Sequence, residues 1–208
     1  MSNKKSQSFD AASFFDKNAA VYARGVCAND VTLFDLAFFK FIKKNPVATL
    51  LDVGAGSGRF SSLVRLNFPD VQVTALDPSV NLLTMIQDRS IIKVVGKSPD
   101  LNLDPGERFS FIHVSNVFHH LVGKTINESR NIVKESLLVL KDHLEDSGYL
   151  MIMEELCETY AIPRASRTLA FFLLSLADKL NVTVPWFFSP NNSQSVKGLL
   201  VCMYTASD

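Results

Sequence analysis

The chain has 208 residues, and its 21 basic and 21 acidic side chains give a formal net charge of zero at neutral pH. This balanced charge argues against DNA or RNA as a partner, because nucleic-acid-binding surfaces concentrate positive charge. The length suits a single domain with a hydrophobic core. Three widely separated cysteines without metal-ligand spacing, and a polar N-terminus without a signal-peptide core, predict a cytoplasmic protein with no metal site and no transmembrane segment.

Segments with helical and strand patterns alternate along the chain. Two helices, at 9–22 and 30–44, are predicted before the first strand, and the second has apolar residues at the spacing of a buried face. The remaining predicted elements are strands at 47–53, 71–76, 91–95, 109–114, 149–153 and 198–204, and helices at 59–67, 80–88, 126–144 and 164–180. Strands that alternate with helices predict an α/β fold with a Rossmann-like, doubly wound, mostly parallel sheet and helices on both faces.

A glycine-rich loop follows the first predicted strand. The strand ends at Asp52, and Gly54, Gly56 and Gly58 then alternate with other residues before a helix begins. Bare backbone lets a nucleotide-type ligand approach closely, and a carboxylate beside it favours a cationic, hydrogen-donating group such as an amino-acid ammonium. The dinucleotide fingerprint would require glycine where Arg59 stands, and no phosphate-binding loop motif is present. An ordinary glycine-rich turn between a strand and a helix is the alternative.

A second acidic residue follows the second predicted strand. Asp77 ends this strand, about 20 residues beyond the glycine loop, and Pro78 and Ser79 follow it. In doubly wound folds an acid at this place bonds the ribose hydroxyls of an adenosine ligand. Asp77 is also suited to the N-terminus of the next helix, with Pro78 at its first position.

Together these two motifs resemble motif I and the ribose-binding acid of the class I S-adenosylmethionine-dependent methyltransferases. The resemblance implies S-adenosylmethionine as cofactor and S-adenosylhomocysteine as product. It also continues after the fourth strand, where Ser115 and Asn116 take a polar position and His119-His120-Leu121 is similar to the small-molecule enzymes of the family. The proline motifs of DNA methyltransferases are absent there. The implied cofactor-binding residues in these motifs are Asp52, Gly54, Ala55, Gly56, Gly58, Asp77, Pro78, Ser115 and Asn116.

Two further segments resemble the family less completely. After the third strand the family has a glycine-acid pair for adenine, whereas this chain has Gly96-Lys97, so Ser98 or Asp100 is expected to hold the base instead. The segment Phe14–Tyr22 is similar to a helix that closes over the cofactor, and Tyr22 and Phe15 are expected to cover the sulfonium, since aromatic faces attract cations. Packing of these aromatic side chains in the core is the alternative.

The resemblance implies methyl transfer to a small-molecule or lipid-like acceptor. An acceptor that loses a proton needs a base, for which the candidates are His119, His120 and Glu154, with Glu155 beside them. Solvated acids at a strand end, and histidines packed under a helix, are the alternatives. The expected single domain comprises a helical cap at 1–45, a cofactor-binding core at 46–155 and an acceptor-side region at 156–208. Two other functions stay open: protein or peptide methylation, and a non-catalytic cofactor-binding or interaction module.

Overall fold

The computed structural model describes residues 11–25 and 31–154. Over these ranges helices and strands alternate, as the sequence predicts. The helices are α1 Ala11–Gly25, α2 Leu33–Ile42, α3 Arg59–Asn67, α4 Val80–Thr84 and α5 Ile126–Asp142, with a short 3-10 turn at Phe118–His120. The strands are β1 Thr49–Val53, β2 Gln72–Asp77, β3 Ile92–Val95, β4 Phe109–Ser115 and β5 Leu144–Met153.

The five strands form one parallel sheet in the order β3-β2-β1-β4-β5. This confirms the predicted α/β architecture. The chain runs outward from β1 through β2 to β3, then returns to place β4 on the other side of β1. The strand order therefore reverses between β1 and β4, and ligands of such sheets bind at this switch point, beyond the carboxyl ends of the strands.

Alternate residues of the central strands fill two separate cores. Leu50 packs with Phe38 of α2 and Phe111 of β4 on one face, whereas Leu51 packs on the opposite face, where α5 supplies Leu140. Both faces are apolar because a parallel sheet is covered by helices on each side. The central strands are thus held rigidly, so their carboxyl ends are a fixed platform for the loops above them.

The start of α2 is tied to the start of α3. Thr32 and Asp35 form a reciprocal capping box at the beginning of α2, with the Thr32 backbone N–H donating to the Asp35 carboxylate at 2.7 Å. Arg59, the first residue of α3, donates to both oxygens of the same carboxylate, at 2.9 and 3.1 Å. The residue that departs from the dinucleotide fingerprint therefore anchors the end of the glycine loop to α2.

Some predicted boundaries are wrong. Helix α4 has five residues instead of continuing to residue 88. After it, the N–H groups of Met85 and Ile86 donate to the carbonyls three residues before them, and the Ile86 carbonyl accepts from Lys93 Nζ at 2.7 Å. Helix α5 ends at Asp142, and β5 begins at Leu144, with a register shift against β4 between Phe109 and Phe111. The elements predicted at 164–180 and 198–204 lie outside the described residues. Among the described helices, none combines the length and apolar character needed to span a bilayer.

Candidate functional site

The glycine loop lies at the switch point and is fixed to the neighbouring strand. The N–H groups of Gly54 and Ala55 both donate to the carbonyl of Leu76, at 2.8 and 3.0 Å. A Cβ on Gly54 would overlap the side chain of Val117, so this position requires glycine for packing as well as for its positive φ of 71°. Gly56, with φ of 56°, differs, because among the described residues a Cβ there would meet only the ring of Tyr22, at 3.6 Å. Gly56 therefore leaves bare backbone beneath an aromatic ring.

The carboxylate of Asp77 is buried next to this loop. Its Oδ2 accepts from the N–H of Gly56 at 2.9 Å, and its Oδ1 accepts from the N–H of Ser79 at 2.8 Å. Each carboxylate oxygen has capacity for a further donor. Burial raises the pKa of Asp77, the negative charges of Asp52 and Asp16 raise it further, and the two backbone N–H groups oppose the shift. The carboxylate is thus held in place but incompletely solvated, which favours a ligand with hydroxyl donors.

Asp52 differs from Asp77 in its hydrogen-bond partners. Its side chain is buried, Oδ2 accepts from Ser61 Oγ at 2.6 Å, and Oδ1 lies 2.8 Å from His113 Nδ1. His113 stands opposite Asp52 in the β1–β4 register, and its ring stacks on Phe60 at 3.7 Å. Asp52 lies between the hydroxyl and the imidazole, so the three do not form a nucleophile-base arrangement. They join β1, β4 and α3 beneath the glycine loop, and the expected contact of Asp52 with a ligand ammonium stays a prediction.

Helix α1 lies against the turn that carries Asp77. Asp16 accepts hydrogen bonds from Ser79 Oγ at 2.9 Å and from the Asn81 N–H at 3.0 Å. Further along α1, the Tyr22 ring reaches Gly56, and desolvation, together with the charge of Asp77, raises the pKa of its phenol. Asp16 was not among the predicted site residues, although it lies inside the segment that resembles the family.

The two histidines after β4, His119 and His120, differ in their hydrogen bonds. Glu154 Oε2 lies 2.8 Å from His119 Nδ1, and Glu154 Oε1 accepts from the N–H groups of Val117 and Phe118, at 2.6 and 2.7 Å. Within the described part of the chain, the buried Nδ1 of His120 has no hydrogen-bond partner. Its ring meets Phe15 of α1 edge-on, with the ring centres 4.9 Å apart. Burial, and then the neighbouring His119, hold the pKa of His120 well below 6.5.

The remaining predicted residues lie around the same edge of the sheet. Ser98 is buried, and its hydroxyl has no partner among residues 11–25 and 31–154. Asp100 is exposed, and its main-chain carbonyl accepts from the Lys97 N–H at 2.9 Å. Asn116 is exposed with a positive φ of 54°, directly after the half-buried Ser115. In these two ranges no three His, Cys, Asp or Glu side chains cluster in a way that would hold a metal ion.

Comparison with known proteins identifies the family. A family model described as a methyltransferase domain matches residues 32–194, more than three quarters of the chain. The chain therefore belongs to the methyltransferase-domain family, in agreement with the resemblance seen in the motifs. A curated relative, the malonyl-(acyl-carrier protein) O-methyltransferase of Laribacter hongkongensis, is 37% identical over 84 residues, which are 40% of this chain and 26% of that protein.

Two solved structures share the fold. A putative O-methyltransferase of Nostoc punctiforme aligns with a TM-score of 0.58 and 15% identity, over 93% of this chain and 50% of that one. The aminopentose methyltransferase CalS10 of Micromonospora echinaspora, solved with S-adenosylmethionine bound, aligns with a TM-score of 0.50 and 22% identity, over 67% of this chain and 56% of that one. The matches span about half the length of each of these structures and about a quarter of the curated relative.

Replacement of Asp52 tests its position beneath the loop. We expect Asp52→Ala to lower the free energy of unfolding by about 3 kcal/mol, because it leaves the buried His113 Nδ1 and Ser61 Oγ without their shared partner. Ser61→Ala removes one hydrogen bond to the same carboxylate, and we expect a loss of about 1 kcal/mol. Urea unfolding of the two variants measures both values. If Asp52→Ala cost no more than Ser61→Ala, the buried cluster would not stabilise the fold as described.

Proposed function

We propose that this protein binds S-adenosylmethionine at the carboxyl ends of β1, β2 and β4 and transfers the methyl group to a small-molecule acceptor. The observation that carries the proposal is the Asp77 carboxylate, which is buried, fixed by the N–H groups of Gly56 and Ser79, and able to accept two more donors. Membership of the methyltransferase-domain family supports it, as do the O-methyltransferase relative and the cofactor-bound CalS10.

The residues around the loop fit the parts of this cofactor. Asp77 accepts the ribose hydroxyls, and the backbone at Gly56 allows close approach under the Tyr22 ring. The Ser98 hydroxyl is buried, has no partner among the described residues, and is suited to adenine. Lys97, which stands where the family has an acid, then need not contact the base. We propose that Gly54, Ala55, Gly58 and Pro78 line the cofactor site, and that Asp52 supports the glycine loop from below.

When bound, the cofactor supplies an electrophilic methyl group on a sulfonium, so the chain needs mainly to place the acceptor and exclude water. His119 is a positioning residue, because Glu154 binds its Nδ1 and also fixes the turn at Val117 and Phe118. We therefore propose that His120 Nδ1 accepts a hydrogen bond or a proton from the molecule that receives the methyl group. Its lowered pKa keeps the imidazole neutral at physiological pH, and hence able to accept.

The wider organisation follows the same proposal. We propose residues 1–45 as a helical cap, 46–155 as the cofactor-binding core, with Ser115 and Asn116 among its cofactor-binding residues, and 156–208 as the acceptor-side region. Glu155, the remaining base candidate, lies outside the described residues. A cytoplasmic location is supported by the cysteine content and spacing.

Calorimetric titration with S-adenosylmethionine, S-adenosylhomocysteine and NAD tests the cofactor. We expect micromolar binding of the two sulfur ligands and none of NAD. Asp77→Ala should weaken their binding about 10- to 100-fold, because it removes a charged acceptor of two hydroxyl groups. Gly56→Val should abolish binding, because the side chain would fill the space under Tyr22 at a positive φ. The matched control is Asp70→Ala, an exposed acid away from the loop.

Normal cofactor binding by Asp77→Ala or Gly56→Val would contradict the proposed cofactor site at the glycine loop. Binding of NAD alone would replace it with a dinucleotide site. If the wild-type protein bound none of the three ligands, the non-catalytic interaction module would become the better account.

Variants of the histidine pair test the acceptor side, once a screen with radiolabelled cofactor has found an acceptor. We expect His120→Ala to lower kcat by about 10²- to 10⁴-fold with cofactor affinity unchanged, as for loss of a general base. The neutral imidazole is the active form, so the wild-type rate should be constant from pH 8 to 6.5 and fall only as the pH passes the lowered pKa of His120. An unchanged kcat in His120→Ala would exclude this role.

A further inference from the structure

Helix α1 packs on the described part of the protein with partly buried aromatic side chains and few fully buried ones, because Phe14 and Phe15 are only half-buried. Among residues 11–24 only Ala19 is fully buried, and Val21 and Tyr22 are exposed hydrophobic residues. Burial of apolar area is the main stabilising term in helix packing, and on α1 that burial is incomplete for every large apolar side chain of residues 11–24. Other interactions must therefore contribute to its position over the glycine loop.

Asp16 accepts four hydrogen bonds that join α1 to the β2–α4 turn and to the first residues of α4. Its Oδ1 accepts from Ser79 Oγ at 2.9 Å and from the Asn81 N–H at 3.0 Å. The Asn81 side-chain amide donates to Asp16 Oδ2 and to the Asp16 main-chain carbonyl, both at 3.1 Å. Hydrogen bonds to a charged group are stronger than those between neutral groups, so this cluster is the main polar attachment that the described residues provide for α1.

The same turn holds the ribose-binding acid. Ser79 donates its backbone N–H to Asp77 and its hydroxyl to Asp16, so one residue connects both carboxylates. Tyr22 lies six residues beyond Asp16 on α1, a rise of about 9 Å along the helix axis, and its ring covers Gly56. The position of the Tyr22 ring relative to the Asp77 carboxylate therefore depends on the bonds that Asp16 makes.

We propose that Asp16 is a positioning residue for cofactor binding: through Ser79 and Asn81 it fixes α1 so that Tyr22 lies over Gly56 and beside Asp77. The part that concerns the ligand rests on the proposed function. The attachment of α1 by Asp16 concerns the protein alone and is tested separately.

A double-mutant cycle tests the action of Asp16 on Tyr22, with S-adenosylhomocysteine as the probe. We expect Asp16→Ala to weaken binding about tenfold in the otherwise wild-type protein. In a Tyr22→Ala background the same replacement should cost less than twofold, because the ring that Asp16 positions is already absent. Asn81→Ala, which removes two of the four bonds and leaves Ser79 in place, should weaken binding to an intermediate degree. Equal losses from Asp16→Ala in both backgrounds would overturn the proposal.

Hydrogen exchange of the cofactor-free protein tests the attachment itself. We expect the amides of residues 11–25 to exchange at least tenfold faster in Asp16→Ala, with the exchange of β1 and β4 unchanged. Asp16→Asn, which retains one acceptor oxygen, should restore part of the protection. The control is Lys17→Ala, an exposed neighbour on the same helix, which should behave as wild type.

Unchanged exchange of α1 in Asp16→Ala would overturn the proposal whether or not the protein binds the cofactor. If the wild-type protein bound no S-adenosylhomocysteine while Asp16→Ala released α1, the proposed function would fail and the attachment would stand. The two failures are therefore distinguishable.

Discussion

The arrangement of the site depends on one buried carboxylate, that of Asp77, and on the two backbone N–H groups that bind it. One N–H comes from Gly56 in the glycine loop and the other from Ser79 in the next turn, so the carboxylate joins the ends of two neighbouring strands. These bonds compensate only part of the cost of burial, and the pKa of Asp77 is therefore raised. The carboxylate of Asp77 is thus incompletely satisfied, and hydroxyl donors on a bound ligand would supply the missing hydrogen bonds.

The two acids of the sequence motifs have different environments, and this difference underlies the roles that we propose for them. Asp52 already has His113 and Ser61 as partners and lies in the sheet, where it supports the loop from below. Within the described ranges, the side chain of Asp77 has only backbone partners, and it faces the loop. A similar division applies to the histidines, because His119 is held by Glu154 while the Nδ1 of His120 has no partner in the described ranges.

The features that the sequence predicts well are those that depend on local pattern. The parallel sheet, the glycine loop and the placement of Asp77 follow from strand periodicity and from short spacings between motifs. The bonds from Asp16 to Ser79 and from Asp52 to His113 join residues 63 and 61 positions apart, and no periodicity reports such pairs. The contacts of the two Glu154 oxygens with backbone N–H groups and with His119 depend on how β5 aligns with β4, which local pattern does not report, and its role as a base stays a prediction. Likewise, the bond from Lys93 Nζ to the Ile86 carbonyl, just after α4, joins two different parts of the fold, and helical periodicity does not report it.

The most direct test of the central claim compares S-adenosylhomocysteine with an analogue that lacks both ribose hydroxyls, on the wild-type protein and on Asp77→Ala. If Asp77 accepts those hydroxyls, the wild-type protein should bind the analogue about 10- to 100-fold more weakly than the parent ligand. Asp77→Ala should bind the two ligands about equally. An equal preference for the parent ligand in both proteins would contradict the assignment, because the hydroxyls would then be recognised by some other group.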